Sequence, residues 1–109
     1  MTPFETEFWN MQDAVHNNAR DKGWWDEARN DGEAIALMHI ELSEALEALR
    51  KGNPNDEKCP QFTNLEVELA DCIIRILDFA GGNGLDIAGA IVAKHEFNKT
   101  RPHKHGKKF

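Results

Sequence analysis

The sequence predicts an all-α fold, a bundle of four to five helices, and three observations carry that expectation. Apolar residues recur at spacings of three and four in four separate stretches, each opened by a capping residue and closed by glycine or proline. No stretch of useful length alternates apolar and polar residues as a half-buried strand does, and no internal repeat is evident. The chain has 109 residues, 40% hydrophobic and 29% charged, which suits a single domain spanning 1–109 with one modest core.

The first helix is read from Thr2-Pro3-Phe4-Glu5, with Thr2 as N-cap, Pro3 at the first helical position and Glu5 closing a capping box. Phe4, Phe8, Met11 and Val15 then mark one apolar stripe, and Gly23 stops the helix after about Lys22. Gly23-Trp24-Trp25-Asp26 is too short and polar to be a core helix. One of its tryptophans is expected to pack against the first helix and the other to form a flat wall for an aromatic ligand, with Trp25 taken as the site residue.

Asn30-Asp31-Gly32-Glu33 reads as the turn before a second helix running to about Lys51, with Ala34, Leu37, Met38, Leu42, Ala45, Leu46 and Leu49 on its apolar side. Gly52 and Pro54 end it, and the polar connection to Phe62 is expected to be mobile. Asn64 is read as the cap of a third helix whose apolar positions, Leu65 to Ala80, run to a break at Gly81-Gly82-Asn83-Gly84. Asp86 caps a shorter fourth helix, with Ile87, Ile91 and Val92 inward, which reaches about Thr100 and is stopped by Arg101-Pro102. Residues 101–109 form a basic C-terminal tail.

The net charge of -6 is unevenly spread. From Lys94 onward six Lys/Arg stand against Glu96 alone, a net of +5, which leaves -11 on residues 1–93. An acidic body with a basic end suits an anionic ligand that arrives with metal, whereas nucleic-acid binding is disfavoured because the body repels a phosphate backbone. Cys59 and Cys72 form neither a C-x-x-C pair nor a zinc-ligand spacing, so free thiols are expected. No apolar run approaches the roughly 20 residues of a membrane helix, and a cytoplasmic protein is the expectation.

The stretch with chemistry in it is Glu41 to Asp71. Glu41-Leu42-Ser43-Glu44 and Glu68-Leu69-Ala70-Asp71 each carry two acids three residues apart, hence on one helical face. On the second helix Leu37, Glu41, Glu44 and Ala48 lie along one line, so the acids interrupt a seam otherwise apolar; Glu68, Asp71 and Arg75 do the same on the third. Antiparallel packing of the two helices would bring four carboxylates into one small volume, where they repel unless a cation sits among them. An all-oxygen donor set favours Mg2+ or Mn2+, with Ca2+ also admissible, over zinc. A di-iron bundle would use Glu-x-x-His, and no Glu here has His at the third following position. Glu47 and Glu66 lie off these lines and read as solvated. His39 faces elsewhere, while His16, followed by Asn17 and Asn18, is placed to hydrogen-bond a base or ribose. His103 and His105 read as tail residues.

Glu41-x-x-Glu44 followed, after 23 intervening residues, by Glu68-x-x-Asp71 resembles the signature of the all-α nucleoside triphosphate pyrophosphohydrolases, the MazG-like superfamily. The likeness extends to Gly23-Trp24-Trp25, to Ala36-Leu37-Met38-His39, and to Lys94-x-x-x-Asn98-x-x-Arg101-Pro102-His103-Lys104-His105-Gly106, an ending similar to the short single-domain bacterial and phage forms. The resemblance implies Mg2+-dependent hydrolysis of a (d)NTP to monophosphate and pyrophosphate, in nucleotide-pool control or house-cleaning. Glu41, Glu44, Glu68 and Asp71 would hold metal, with Glu41 or Glu44 orienting or deprotonating the attacking water. Lys94 and Asn98 would reach the nucleotide, with Arg101 an addition. It also implies a homo-oligomer, a dimer or tetramer, with the pocket completed at an interface. The competing reading is a non-catalytic helical module that binds metal or a partner in a regulatory role.

Overall fold

Four α-helices form, and the computed structural model describes all residues, Met1–Phe109. Helix α1 spans Pro3–Asp21, α2 Asp31–Arg50, α3 Asn64–Asn83 and α4 Ile87–Lys99, followed by a short 3-10 turn at His103–Gly106. The all-α expectation holds, with four helices.

At each helix start the N-cap side chain accepts from one of the free amides. Thr2 and Glu5 form the expected capping box of α1, Asn30 accepts from the Glu33 amide at α2, and Asp86 accepts from the Gly89 amide at α4. The start of α3 differs from expectation: the cap is Thr63, not Asn64, and Glu66, read as merely solvated, reaches back to the Thr63 amide in a second capping box. Asn64 instead donates its backbone amide to the Pro54 carbonyl.

The end of α3 differs as well. Gly81 and Gly82 do not break the helix, which runs on to Asn83 and stops at Gly84 in the left-handed region, φ 65°. Both earlier glycines are sites of close packing. A Cβ on Gly81 would lie 2.6 Å from His16 Cβ, and one on Gly82 would collide with the Trp25 ring. Tertiary contact therefore overrides the local reading of a Gly-Gly pair as a breaker.

The connection from Gly52 to Phe62, expected to be mobile, is bonded back on itself. Asp56 accepts from the amides of Lys58 and Cys59, the Asp56 amide donates to the Phe62 carbonyl, and Asn53 Oδ1 accepts from the Leu65 amide, 2.9 Å. Its ends are thus clamped, which fixes how α2 returns into α3.

Helix α3 is the centre of the molecule, packing against α2 on one side and α1 on another, while α4 turns by 116° from α3 and packs on α1. Small residues line the α2–α3 seam: Ala34, Ala45 and Ala48 of α2 are buried, as is Cys72 of α3, whose thiol lies 3.6 Å from the Met38 carbonyl. On α1 the buried residue is the polar Gln12, whose amide donates to the Leu85 carbonyl, whereas Phe4 and Met11 of the expected stripe stay exposed.

The chain exposes far more surface than a closed monomer of its mass. Its accessible area is 8142 Å², against about 6,100 Å² for a folded monomer of this size. Its radius of gyration is 16.3 Å, against about 13 Å for a domain of this length. Large apolar side chains stand in the exposed surface. Ile35, Leu42, Leu46 and Leu49 of α2, at spacings of seven, four and three, and Leu69 and Ile73 of α3 are all exposed. Helical spacing sets the α2 residues along one stripe of that helix and the α3 pair along another. No single helix is long and apolar enough to cross a membrane.

Candidate metal centre and its adjoining cleft

The small-residue seam is what lets the acids meet. With Ala45, Ala48 and Cys72 at the contact, α2 and α3 approach closely, and the longer side chains between them converge. One carboxylate oxygen each from Glu41, Glu44 and Glu68 lies within 4.8 Å of the others. Oxygens around an octahedral Mg2+ at about 2.1 Å stand about 3.0–4.2 Å apart, so the spacing observed needs only small rotamer adjustments to fit such an ion.

The three acids sit at different depths. Glu41 is 7% exposed, Glu68 is half-buried and Glu44 is exposed. Glu68 Oε2 is shut away from solvent without a hydrogen-bond partner. Burial first, then the hydrogen bond and charge of Glu44 and contributions from Glu41 and Asp71, push the Glu68 carboxyl up to about 7. A carboxyl in that position takes up either a proton or a cation. The donor set and the orphaned oxygen therefore fit a hard divalent ion.

Asp71, the fourth acid expected, stands beside this group rather than in it. It lines the adjoining cleft together with Glu41. Burial, then the Glu41 charge, raises its carboxyl above the ordinary value, while Arg75 works in the opposite direction. Arg75, one turn further along α3, donates from Nε to Glu41 Oε1 at 2.8 Å.

The cleft itself has a volume of about 540 Å³, in the range of small-molecule sites. Ala14, Val15 and Ala19 of α1 and Ile74 of α3 form an apolar wall, with Trp24 at one edge. Asp71, Arg75 and Asp78 line it from α3, Glu41 from α2 and Arg29 from the connection.

Asp78 is the residue that sequence reasoning missed. It is buried and receives three donors: His16 Nδ1 lies 2.9 Å from Oδ1, Trp25 Nε1 donates to the same oxygen at 2.8 Å, and Arg29 Nη1 donates to Oδ2 at 2.9 Å. A signal existed, since Asp71, Arg75 and Asp78 continue one charged line through an apolar helix at spacings of four and three. This hub occupies two residues expected at a nucleotide. His16 is held on Asp78 and meets the Trp25 ring edge-on, with centroids 5.0 Å apart. Trp25 has Gly82 against its ring and the Arg29 guanidinium 4.6 Å from its centre. Trp24, 62% exposed, lines the cleft, and Trp25 does not.

The helix-α4 residues do not line this cleft. Lys94 and Asn98 border a separate shallow depression with Ile91 and His95, and Lys94 and Arg101 both flank the Phe97 ring, at 4.9 and 5.9 Å. Asn98 Oδ1 is buried without a partner. Compared with models of protein families, with curated proteins and with solved structures, the chain matches none.

Proposed function

We propose that this chain is a Mg2+-dependent nucleoside triphosphate pyrophosphohydrolase of MazG-like type, converting a (d)NTP and water to (d)NMP, pyrophosphate and a proton. The observation that carries the reading is the convergence of Glu41, Glu44 and Glu68 oxygens within 4.8 Å, next to a cleft of about 540 Å³ that Glu41 also lines. These three residues would hold Mg2+ or Mn2+, with Asp71 next in reach. The ion, when bound, supplies charge neutralisation for the triphosphate and makes water more acidic.

The protein side of the chemistry follows from the depths of the acids. Glu41 has Oε1 engaged by Arg75, which fixes its orientation. Glu44 is the exposed member and is free to take the proton from the attacking water. The apolar wall and Trp24 receive the nucleoside, leaving the phosphates toward the acids. One phosphoanhydride bond is broken, and the two products together carry more negative charge than the triphosphate by the proton released.

The uncovered face supports a homo-oligomer, a dimer or tetramer. The excess of roughly 2,000 Å² over a monomer's surface is the size of area that stable assemblies bury. A second copy is also the means by which Lys94, Asn98 and Arg101 would reach a nucleotide, since within one chain they stand apart from the cleft.

The test is product identity. A panel of dNTPs and NTPs is incubated with the chain and Mg2+, and the products are resolved by anion exchange. Equimolar monophosphate and pyrophosphate are expected; diphosphate with orthophosphate, or no turnover of any nucleotide, would overturn the proposal.

A further inference from the structure

Of the thirteen Lys and Arg residues in the chain, two line the cleft, Arg29 and Arg75. Each is anchored by one nitrogen to an acid. Arg75 uses Nε on Glu41, and its two terminal nitrogens make no hydrogen bond within the chain. Arg29 uses Nη1 on Asp78 and lies over the Trp25 ring, so its plane is fixed before anything binds. Both guanidiniums remain partly open, with side chains 19% and 33% exposed for Arg29 and Arg75.

We infer that Arg29 and Arg75 are a pre-oriented anion clamp that holds a polyphosphate chain from within the same subunit. The inference rests on the proposed pyrophosphohydrolase reading and deepens it by naming residues for the phosphates. The geometry suits the task, because a guanidinium anchored through one edge presents its remaining N–H groups as a fork matched to phosphate oxygens. Anchoring also lowers the entropy lost on binding. Charge makes the clamp conditional: Glu41, Glu44, Glu68, Asp71 and Asp78 outnumber the two arginines, so a polyphosphate is attracted only when a divalent cation offsets the acids. Metal and polyphosphate therefore bind cooperatively.

The experiment is calorimetric titration of the intact chain with inorganic tripolyphosphate at fixed free Mg2+, beside the Mg2+-induced rise in melting temperature. Wild type should bind tripolyphosphate with Mg2+ and at least tenfold more weakly without it. Arg75→Gln should lose at least tenfold in affinity while keeping the Mg2+-induced rise. Arg29→Lys, which keeps the Asp78 ion pair and so guards against misfolding, should lose several-fold. Wild-type affinity in Arg75→Gln, or no tripolyphosphate binding by a wild type that Mg2+ does stabilise, would overturn the clamp. If Mg2+ leaves the wild-type melting temperature unchanged, the metal reading falls instead, and Arg75-dependent binding of tripolyphosphate would then stand by itself.

Discussion

Glu68 holds the most consequential proton in the molecule, because one of its oxygens has neither solvent nor a partner and its carboxyl is raised to about 7. With the folded-state value above the unfolded one, the native state binds the extra proton between about pH 4.5 and 7. The contribution to stability is complete at the acid end and is lost as pH rises through 7. Glu66 and Glu96, both lowered, act in the opposite sense and outside that window. Metal-free protein should therefore lose several degrees of melting temperature from pH 5 to pH 8, and either Mg2+ or Glu68→Gln should flatten the slope. A metal-free profile already flat across that range would contradict the burial argument. Asp78 carries the second residue-scale expectation. Asp78→Ala removes the acceptor of three donors and leaves Arg29 without its counter-ion, a loss of about 3–5 kcal/mol in denaturant unfolding; a loss under about 1 kcal/mol would show that the hub is dispensable. The acids were legible in the sequence because spacing alone puts Glu41 with Glu44 and Glu68 with Asp71. The partners of Asp78 were not, since nothing local says that the Trp25–Arg29 segment folds back onto the last turns of α3.

Helix α3 illustrates at the element scale why boundaries were harder to read than the helices themselves. Its apolar period from Leu65 to Ala80 announces a helix, but Gly81-Gly82 reads as a break only while the neighbours are unknown. With His16 and Trp25 against them, these glycines are what allow α1 and the tryptophan turn to approach. Gly82→Ala should cost about 1–3 kcal/mol through overpacking, despite alanine's advantage of about 1 kcal/mol within a helix. A stabilised Gly82→Ala variant would show that the Trp25 ring moves aside freely. At the other end of the helix, Thr63→Ala should cost about 1 kcal/mol through loss of the capping box, whereas Asn64→Ala, which leaves the backbone bond to Pro54 in place, should be close to neutral. The reverse ranking by thermal unfolding would restore the cap to Asn64.

The whole molecule is open, with more accessible area than a closed monomer of its mass, and nothing local in the sequence says which face stays uncovered. Leu42, Leu46 and Leu49 of α2 and Leu69 and Ile73 of α3 leave an apolar surface in solvent. If a second copy covers this face, Leu46→Glu should shift the chain to monomer in sedimentation equilibrium while its helical circular dichroism is kept. An unchanged mass would move the interface elsewhere. The claim that joins all three scales is that the carboxylate seam of α2 and α3 is a divalent-metal site serving hydrolysis of a nucleoside triphosphate. Its most direct test is pyrophosphate release from a nucleotide panel with and without Mg2+, measured for wild type and Glu41→Gln side by side. Release that requires Mg2+ and falls at least a hundredfold in Glu41→Gln is the result expected; release indifferent to both, or absent from wild type with every nucleotide, would contradict the account.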